Sequence, residues 1–240
     1  MAFQRFSMNR LKRAKAYMQR ELADFRSACA YSFQYFLGKM EARGGSGNRA
    51  RVFRERYQTV FAKNPGAIAA PTAGLHFSEE ILRQIRARGV EKCELTLNIG
   101  LGTFQPVHGD MLEGHVMHSE SYEIPREAAE QINAAHAAGR PILAIGTTVV
   151  RALEDSALRS AEEGSSNVVK AGKAEARLFI TPGFRFRAVT GLLTNFHLPR
   201  STLLALVCAF AGRENVLAAY RHAVETGYRF YSYGDCMLIQ

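Results

Sequence analysis

The sequence predicts an α/β fold with largely parallel strands, and three observations support this. After residue 50, short runs of strand-forming residues alternate with helix-like stretches of about a dozen residues. Strands separated by helices in this way usually run side by side in one direction. The chain has 240 residues and 47% apolar content, which fits one large domain or two small ones with a real core.

The first 50 residues differ from the rest in charge and composition. They carry ten Lys or Arg against three acidic residues, and so hold most of the formal net charge of +9. Residues 3–43 have helical spacing of apolar side chains and no proline, and a glycine-rich linker follows at residues 44–48. We therefore predict a basic helical extension with its linker over residues 1–50 and an α/β catalytic-type domain over residues 51–240. The extension is interpreted as a surface helix, an arm for nucleic acid, a membrane-surface helix or a transit peptide.

The elements of the main domain follow from residue periodicity. Helical spacing is found in six stretches: Arg51–Ala62, Ser78–Arg88, Arg126–Ala138, Val149–Ala161, Ser201–Ala211 and Glu214–Thr226. Strand patterns are found in five: Glu91–Ile99, Pro141–Ile145, Arg177–Ile180, Gly191–Thr194 and Asp235–Ile239. Residues 162–174 are rich in small and polar residues, and we expect an exposed loop there.

The sequence also bears on the compartment. The longest apolar run has nine residues, against roughly 20 for a bilayer span. The four cysteines lie far apart without a C-x-x-C pair, as expected for a reducing compartment. We expect a cytoplasmic protein that does not associate with membranes.

The first segment with potential for chemistry is Asn64–Phe77. Two prolines and two glycines predict a tightly turned backbone before a helix capped by Ser78. Thr72, Gly74 and His76 would lie near open backbone amides. The alternative interpretation is a structural turn containing a hydrogen-bonded histidine.

Residues 95–120 contain two further patterns. Gly100 and Gly102–Thr103 end a strand and resemble half of a dinucleotide-binding loop. Gln105 replaces the third glycine, however, and no helix follows. We interpret these glycines as a loop that approaches a ligand closely, or as a bulge. The H-x-x-H-S-E sequence ends with His118 and Glu120, which suit a general base paired with a carboxylate. Its spacing does not match a zinc site, and we expect no metal.

Two strand ends carry polar side chains. Gly146, Thr147 and Thr148 lie between a strand and a helix that also contains Arg151, and Asn195, Phe196 and His197 end a later strand. Ligands of α/β proteins commonly bind at such ends, where free amides favour anionic or oxygen-rich groups. Ordinary capping by threonine is the alternative for the first of the two.

The last segment, residues 228–235, combines aromatic and charged side chains before a final strand. Its candidate substrate-binding residues are Tyr228, Arg229, Tyr231, Tyr233 and Asp235. Alternating aromatics often face a core, but aromatic rings with an arginine also suit stacking on a nucleic-acid base.

Six motifs together resemble one family. They are APTAGLHF (70–77), G-x-G-TFQPV (100–107), HxxHSE (115–120), A-x-GTT-x-VR (144–151), TNFHLP-x-STL (194–203) and YRF-x-SYGD (228–235). Their order and spacing resemble the S-adenosylmethionine:tRNA ribosyltransferase-isomerases of queuosine biosynthesis, over roughly three-quarters of the chain.

This resemblance implies a reaction and two substrates. The ribosyl moiety of S-adenosylmethionine (AdoMet) would be transferred and isomerised onto 7-aminomethyl-7-deazaguanine in tRNA. Epoxyqueuosine would form, and adenine and methionine would leave. AdoMet would be a co-substrate, so no cofactor is expected, and the resemblance implies a monomer.

The resemblance also suggests site residues. The candidate catalytic residues are His118, Glu120, His76 and His197. The candidate AdoMet-binding residues are Thr72, Gly74, Gly102, Thr103, Gly146, Thr147, Thr148, Arg151 and Asn195. Phe196 joins residues 228–235 as a candidate substrate-binding residue.

Members of this family are longer, with a (β/α) barrel carrying a small β-barrel domain. We therefore expect a partial (β/α)-barrel-like domain with an N-terminal amphipathic helix and without the small β-barrel, the N-terminal part being truncated or replaced. Such a chain would be open to association. An inactive fragment or RNA-binding remnant, a methyltransferase, and a degenerate chain that folds only as a dimer are the alternatives.

Overall fold

The computed structural model describes residues 58–63, 71–98 and 119–240. The predicted basic extension over residues 1–50 lies outside this part of the chain, as do Gly102, Thr103 and His118. Residues 58–63 contain a turn and no helix, so the predicted helix Arg51–Ala62 is wrong at its described end.

The described residues form a mixture of helices and strands. In chain order they are a 3₁₀ helix (Thr72–His76), α1 (Glu79–Ala87), β1 (Thr96–Asn98), β2 (Glu120–Ile124), α2 (Arg126–Ala137), β3 (Leu143–Ile145), α3 (Thr147–Glu162), β4 (Gly172–Ala176), β5 (Gly191–Asn195), α4 (Thr202–Ala211), α5 (Arg213–Glu225) and β6 (Cys236–Ile239). The α/β class is confirmed.

The strands form two three-stranded sheets. One has the order β1-β2-β4 and is antiparallel throughout. The other has the order β3-β5-β6, with β3 and β5 parallel and β6 antiparallel to β5. The expectation of largely parallel strands is therefore wrong for the described residues. The connection from β5 to β6 contains α4, α5 and the loop of residues 226–235, and it returns the chain antiparallel to β5.

The core is built around α3, which contacts β3, β4, β5 and α4. Val150 and Leu153 of this helix are almost fully buried, as are Ile124 of β2 and Leu192 of β5. Helix α4 adds Leu206 and Val207. Burying an aliphatic side chain of this size contributes roughly 1.5–3 kcal/mol. The interior around α3 thus fixes the two sheets relative to one another.

A buried carboxylate also holds α3 in place. Glu154 has no exposed surface, and its two oxygens accept hydrogen bonds from the backbone N–H groups of Arg187, Ala188 and Val189 at 2.8, 3.0 and 2.9 Å. These three residues lead directly into β5. A charged acceptor inside the core therefore positions the start of the strand whose other end carries Asn195.

A polar network attaches the antiparallel sheet to the same helix. The Tyr122 hydroxyl donates to Asp155 Oδ2 at 2.9 Å, and Arg159 Nε donates to the same oxygen at 2.7 Å. Burial, with the hydrogen bond to Asp155, raises the pKa of Tyr122. The Tyr122 hydroxyl therefore stays protonated and acts as a structural donor.

Several strand predictions need correction. Arg177–Ile180 contains no strand, whereas β4 lies at Gly172–Ala176, where the end of an exposed loop was expected. Glu120–Ile124, for which no strand was predicted, forms the central strand β2. The strand predicted for residues 91–99 is described as the shorter β1. The predicted helices after Ser78 are confirmed with ends shifted by at most two residues.

Within the described ranges, no single helix has both the length and the apolar character to cross a membrane. Helices α4 and α5 together reach that length, but they are bent by 113°.

Candidate active site at the ends of β3 and β5

Asn195, at the carboxyl end of β5, lies at the centre of the candidate site. Its side chain is 2% exposed. The 3₁₀ helix packs against this end of β5 and supplies two partners from opposite ends of one turn. The Thr72 hydroxyl donates to Asn195 Oδ1 at 3.4 Å, and Asn195 Nδ2 lies 3.2 Å from His76 Nε2. The structure thus brings Asn195 together with two candidate residues that lie more than a hundred positions away in sequence.

The loop of residues 228–235 closes the other side of Asn195. Its carboxamide donates to the carbonyls of Tyr231 at 3.3 Å and Gly234 at 3.5 Å. The Tyr231 N–H in turn donates to the carbonyl of Phe196 at 2.9 Å. Tyr231 has a φ of 72°, a left-handed conformation that side chains with a Cβ rarely adopt. Backbone strain in the loop is therefore maintained by its contacts with the end of β5.

The charged residues Arg229 and Asp235 of this loop form an ion pair. Arg229 Nη2 donates to Asp235 Oδ1 at 2.8 Å, and the Arg229 N–H donates to Oδ2 at 2.8 Å. This bonding from Arg229 holds the pKa of Asp235 below its ordinary value. Burial lowers the pKa of His76, and the charge of Asp235 opposes that effect only in part. A neutral imidazole therefore lies beside an ionised carboxylate.

The end of β3 lies against the same 3₁₀ helix. Gly146 donates its N–H to Leu193 of β5 at 2.8 Å and has a φ of 98°. A Cβ at this glycine would lie 3.7 Å from that of Ala73. Thr147 and Thr148 begin α3 here and are buried. The N-terminus of α3, with its positive dipole end, is thereby directed to the edge of the sheet where Asn195 lies.

Two candidates pair with each other and not with Asn195. Arg151 is 2% exposed, and its Nη1 lies 2.9 Å from Glu120 Oε2. Its Nε donates to the Leu178 carbonyl at 3.2 Å. This ion pair connects the second turn of α3 to the start of β2. This buried ion pair therefore forms a structural connection between α3 and the antiparallel sheet.

His197 lies two residues beyond Asn195 but has different partners. Its Nε2 is 2.7 Å from Thr194 Oγ1, and its N–H donates to the Tyr220 hydroxyl at 2.8 Å. Burial lowers the pKa of His197 from 6.5 to about 4. The structure places this histidine in the packing between β5 and α5.

The lowered pKa of His197 predicts loss of stability in acid. The unfolded chain binds a proton near pH 6.5 while the folded chain does not, so stability is fully present above pH 6.5 and falls until about pH 4. The loss is on the order of 3 kcal/mol. Urea unfolding at a series of pH values measures it. In His197→Gln the slope between pH 6.5 and 4.5 should be shallower, although His76 continues to titrate; an unchanged slope would contradict the prediction.

The aromatic candidates divide into two groups. Phe196 is buried, and its ring lies 5.1 Å from that of Phe230 and 5.2 Å from that of Tyr220, as is typical of core packing. Tyr228 and Tyr231 are 44% and 37% exposed. The two exposed rings are thus available to a ligand at the surface of the loop, while Tyr233 is half-buried.

An apolar cavity of about 720 Å³ lies next to the site. Its wall includes Leu82 and Ile85 of α1, Ile132 of α2 and Ile142 before β3. Gly74 is the one candidate site residue on the described wall. Because the convergent polar groups surround Asn195, we assign the candidate active site to the strand ends and not to this cavity.

Among the described residues, no group of three or more His, Cys, Asp or Glu could hold a metal ion. Gly234 was not singled out from the sequence, although a Cβ there would lie 2.4 Å from the Arg229 carbonyl oxygen. The Tyr-Gly-Asp triplet was its only sequence signal.

Comparison with known proteins gives consistent matches. The model of the family described as "Queuosine biosynthesis protein" matches residues 11–239. An S-adenosylmethionine:tRNA ribosyltransferase-isomerase of Sorangium cellulosum is 60% identical over 187 residues, covering 78% of this chain and 49% of that protein. Its counterpart in Thermus thermophilus is also 60% identical, covering 80% of this chain and 53% of that protein.

A solved structure supports the same relationship. The crystal structure of an S-adenosylmethionine tRNA ribosyltransferase from Thermotoga maritima has a TM-score of 0.54 and 39% identity. The match covers 70% of this chain and 51% of that chain. The chain therefore spans about half the length of the relatives it matches.

Proposed function

Because the chain belongs to the queuosine biosynthesis protein family, we propose that it transfers and isomerises the ribosyl moiety of AdoMet onto 7-aminomethyl-7-deazaguanine in tRNA. The observation that carries this proposal is the convergence of Thr72, His76 and the 228–235 loop on Asn195. These residues come from three of the six motifs that resemble the family. The curated relatives bear the name of this activity.

The bonds that change define what the site must supply. The bonds from the ribosyl unit to adenine and to the methionine sulfur break, and a new bond forms to the amine of the deazaguanine. The sulfonium acidifies the neighbouring ribose carbon, so a positioned base starts the rearrangement. Hydrogen-bond donors stabilise the charge that develops on the departing adenine.

The described residues suit binding and orientation in this reaction. Asn195, Thr72 and the first turn of α3 would hold the nucleoside at the strand ends, where backbone amides favour oxygen-rich groups. Asp235 would attract the cationic co-substrate, and the exposed Tyr228 and Tyr231 rings would stack on the tRNA base.

Proton removal is assigned to His118. Glu120, two residues further on, begins β2, and its ion pair with Arg151 anchors that strand start against α3. In this proposal Glu120 is a positioning residue for His118. Gly102 and Thr103 are proposed to approach the nucleoside from the same segment.

The proposed function is tested with the purified chain, AdoMet and tRNA carrying the aminomethyl precursor base. We expect free adenine to form in equal amount to modified tRNA. Salt-sensitive tRNA binding without adenine would instead support an RNA-binding remnant. With methyl-labelled AdoMet we expect no label in the RNA; labelled RNA would identify a methyltransferase.

A further inference from the structure

The orientation of the Asn195 carboxamide is set by its neighbours. One end faces the backbone carbonyls of Tyr231 and Gly234 at 3.3 and 3.5 Å. A carbonyl oxygen only accepts, so the end facing it must be the NH₂ group. The other end is the oxygen, which accepts from the Thr72 hydroxyl at 3.4 Å. The two carbonyls therefore fix which end of the amide is the NH₂ group, and the Thr72 hydroxyl, which can donate, is compatible with the oxygen at the other end.

This orientation determines the protonation of His76. The Asn195 NH₂ group lies 3.2 Å from His76 Nε2. The NH₂ group has two hydrogens for three neighbours, so one is shared between the carbonyls of Tyr231 and Gly234 and the other faces His76. Because the group only donates, Nε2 accepts and carries no proton. A neutral imidazole then carries its hydrogen on Nδ1. Burial, which lowers the pKa of His76, favours this neutral form.

We propose that Asn195 is a positioning residue that holds His76 as the Nδ1–H tautomer, so that His76 donates a hydrogen bond to the bound nucleoside and does not act as a base. Within the described residues, Asn195 is the hydrogen-bond partner of His76, which leaves Nδ1–H available to a ligand. The identity of that ligand rests on the proposed function. The tautomer rests on the contacts of Asn195 alone.

The tautomer can be measured without substrate. In the full chain labelled with ¹⁵N-histidine, long-range ¹H–¹⁵N spectra at pH 8 should show a protonated Nδ1 and an unprotonated Nε2 for His76. The spectrum of His76→Gln identifies the His76 signals among those of the seven histidines. A protonated Nε2 in the wild-type chain would overturn the proposal.

Two variants separate positioning from general structural support. Asn195→Asp places an acceptor against Nε2, so His76 should become protonated there and its pKa should rise. Thr72→Val removes the bond to Oδ1 but keeps the NH₂ contact, so the tautomer should stay unchanged. If Asn195→Asp does not fold, the spectrum of the wild-type chain still tests the predicted tautomer of His76. If Asn195→Asp folds and His76 keeps the wild-type tautomer, Asn195 is not what sets the tautomer.

Addition of AdoMet tests the donor role. We expect the His76 Nδ1–H signal to shift on saturation while the tautomer is retained. Calorimetry measures AdoMet binding in the same sample. Binding without any change at His76 would overturn the donor role and leave the proposed function intact. Absence of AdoMet binding would contradict both the proposed function and the role of His76 as a donor to the nucleoside. The tautomer of His76 is measured without AdoMet, so that part of the proposal would still be tested separately from the proposed function.

Discussion

Replacement of Glu154 by alanine is expected to lower the free energy of unfolding by about 5 kcal/mol, or to prevent folding at 37 °C. The carboxylate is the acceptor for three backbone N–H groups, of Arg187, Ala188 and Val189. Without it these donors are left in the interior, and each unsatisfied group costs roughly 1–3 kcal/mol. The lost packing of the Glu154 methylenes adds to this cost.

Urea unfolding followed by circular dichroism measures this effect. Glu154→Gln should fall between the wild type and alanine, because its oxygen still serves two N–H groups while its NH₂ group faces the third. Glu162→Ala is the matched control: this residue lies on the same helix but is exposed, so its effect should stay within about 0.5 kcal/mol. Equal effects at the two positions would show that the buried carboxylate is not the cause.

The sequence predicted helices better than strands, and the reason is physical. An amphipathic helix such as α2 repeats its apolar positions within one segment, so local spacing is sufficient. Strand β4 has the sequence Gly-Lys-Ala-Glu-Ala, without β-branched or aromatic residues, and exists because it pairs with β2. Pairing with a distant partner overrides weak intrinsic preference. Strand β2 begins with a buried Glu120, whose cost is offset by Arg151, a partner 31 positions away.

The candidate site was predictable where strand ends carry polar groups. Asn195, Thr72 and His76 were each singled out, and the structure brings them within hydrogen-bonding distance. The sequence could not separate Asn195 from His197. Two residues apart, both would lie on one face of a continuing strand, but β5 ends at Asn195. After Asn195 the side chains no longer alternate between the two faces of a strand, and His197 contacts Thr194 and Tyr220.

In the proposed reaction, substitution of Gly234 by alanine is expected to reduce adenine release by on the order of 100-fold, because small displacements of positioning groups carry costs of this size. A Cβ at residue 234 would lie 2.4 Å from the Arg229 carbonyl oxygen and 2.5 Å from the Phe230 carbonyl carbon. Both are backbone atoms, so the loop itself must move. The Arg229 carbonyl also accepts from Asp235 N–H at 2.8 Å, and the displacement would break that bond.

The effect of Gly234→Ala should reach Asn195 through its two carbonyl acceptors, since Tyr231 and Gly234 both belong to the displaced loop. Gly227→Ala provides the matched control. Gly227 has a φ of 77°, and a Cβ there would meet no atom within 4 Å beyond its chain neighbours, so alanine adds backbone strain of roughly 1–2 kcal/mol without a collision. Single-turnover adenine release should therefore be nearly unchanged in Gly227→Ala and strongly reduced in Gly234→Ala at similar folded fractions. If both variants lost adenine release equally, loop stability in general, and not the contact with Asn195, would govern the reaction.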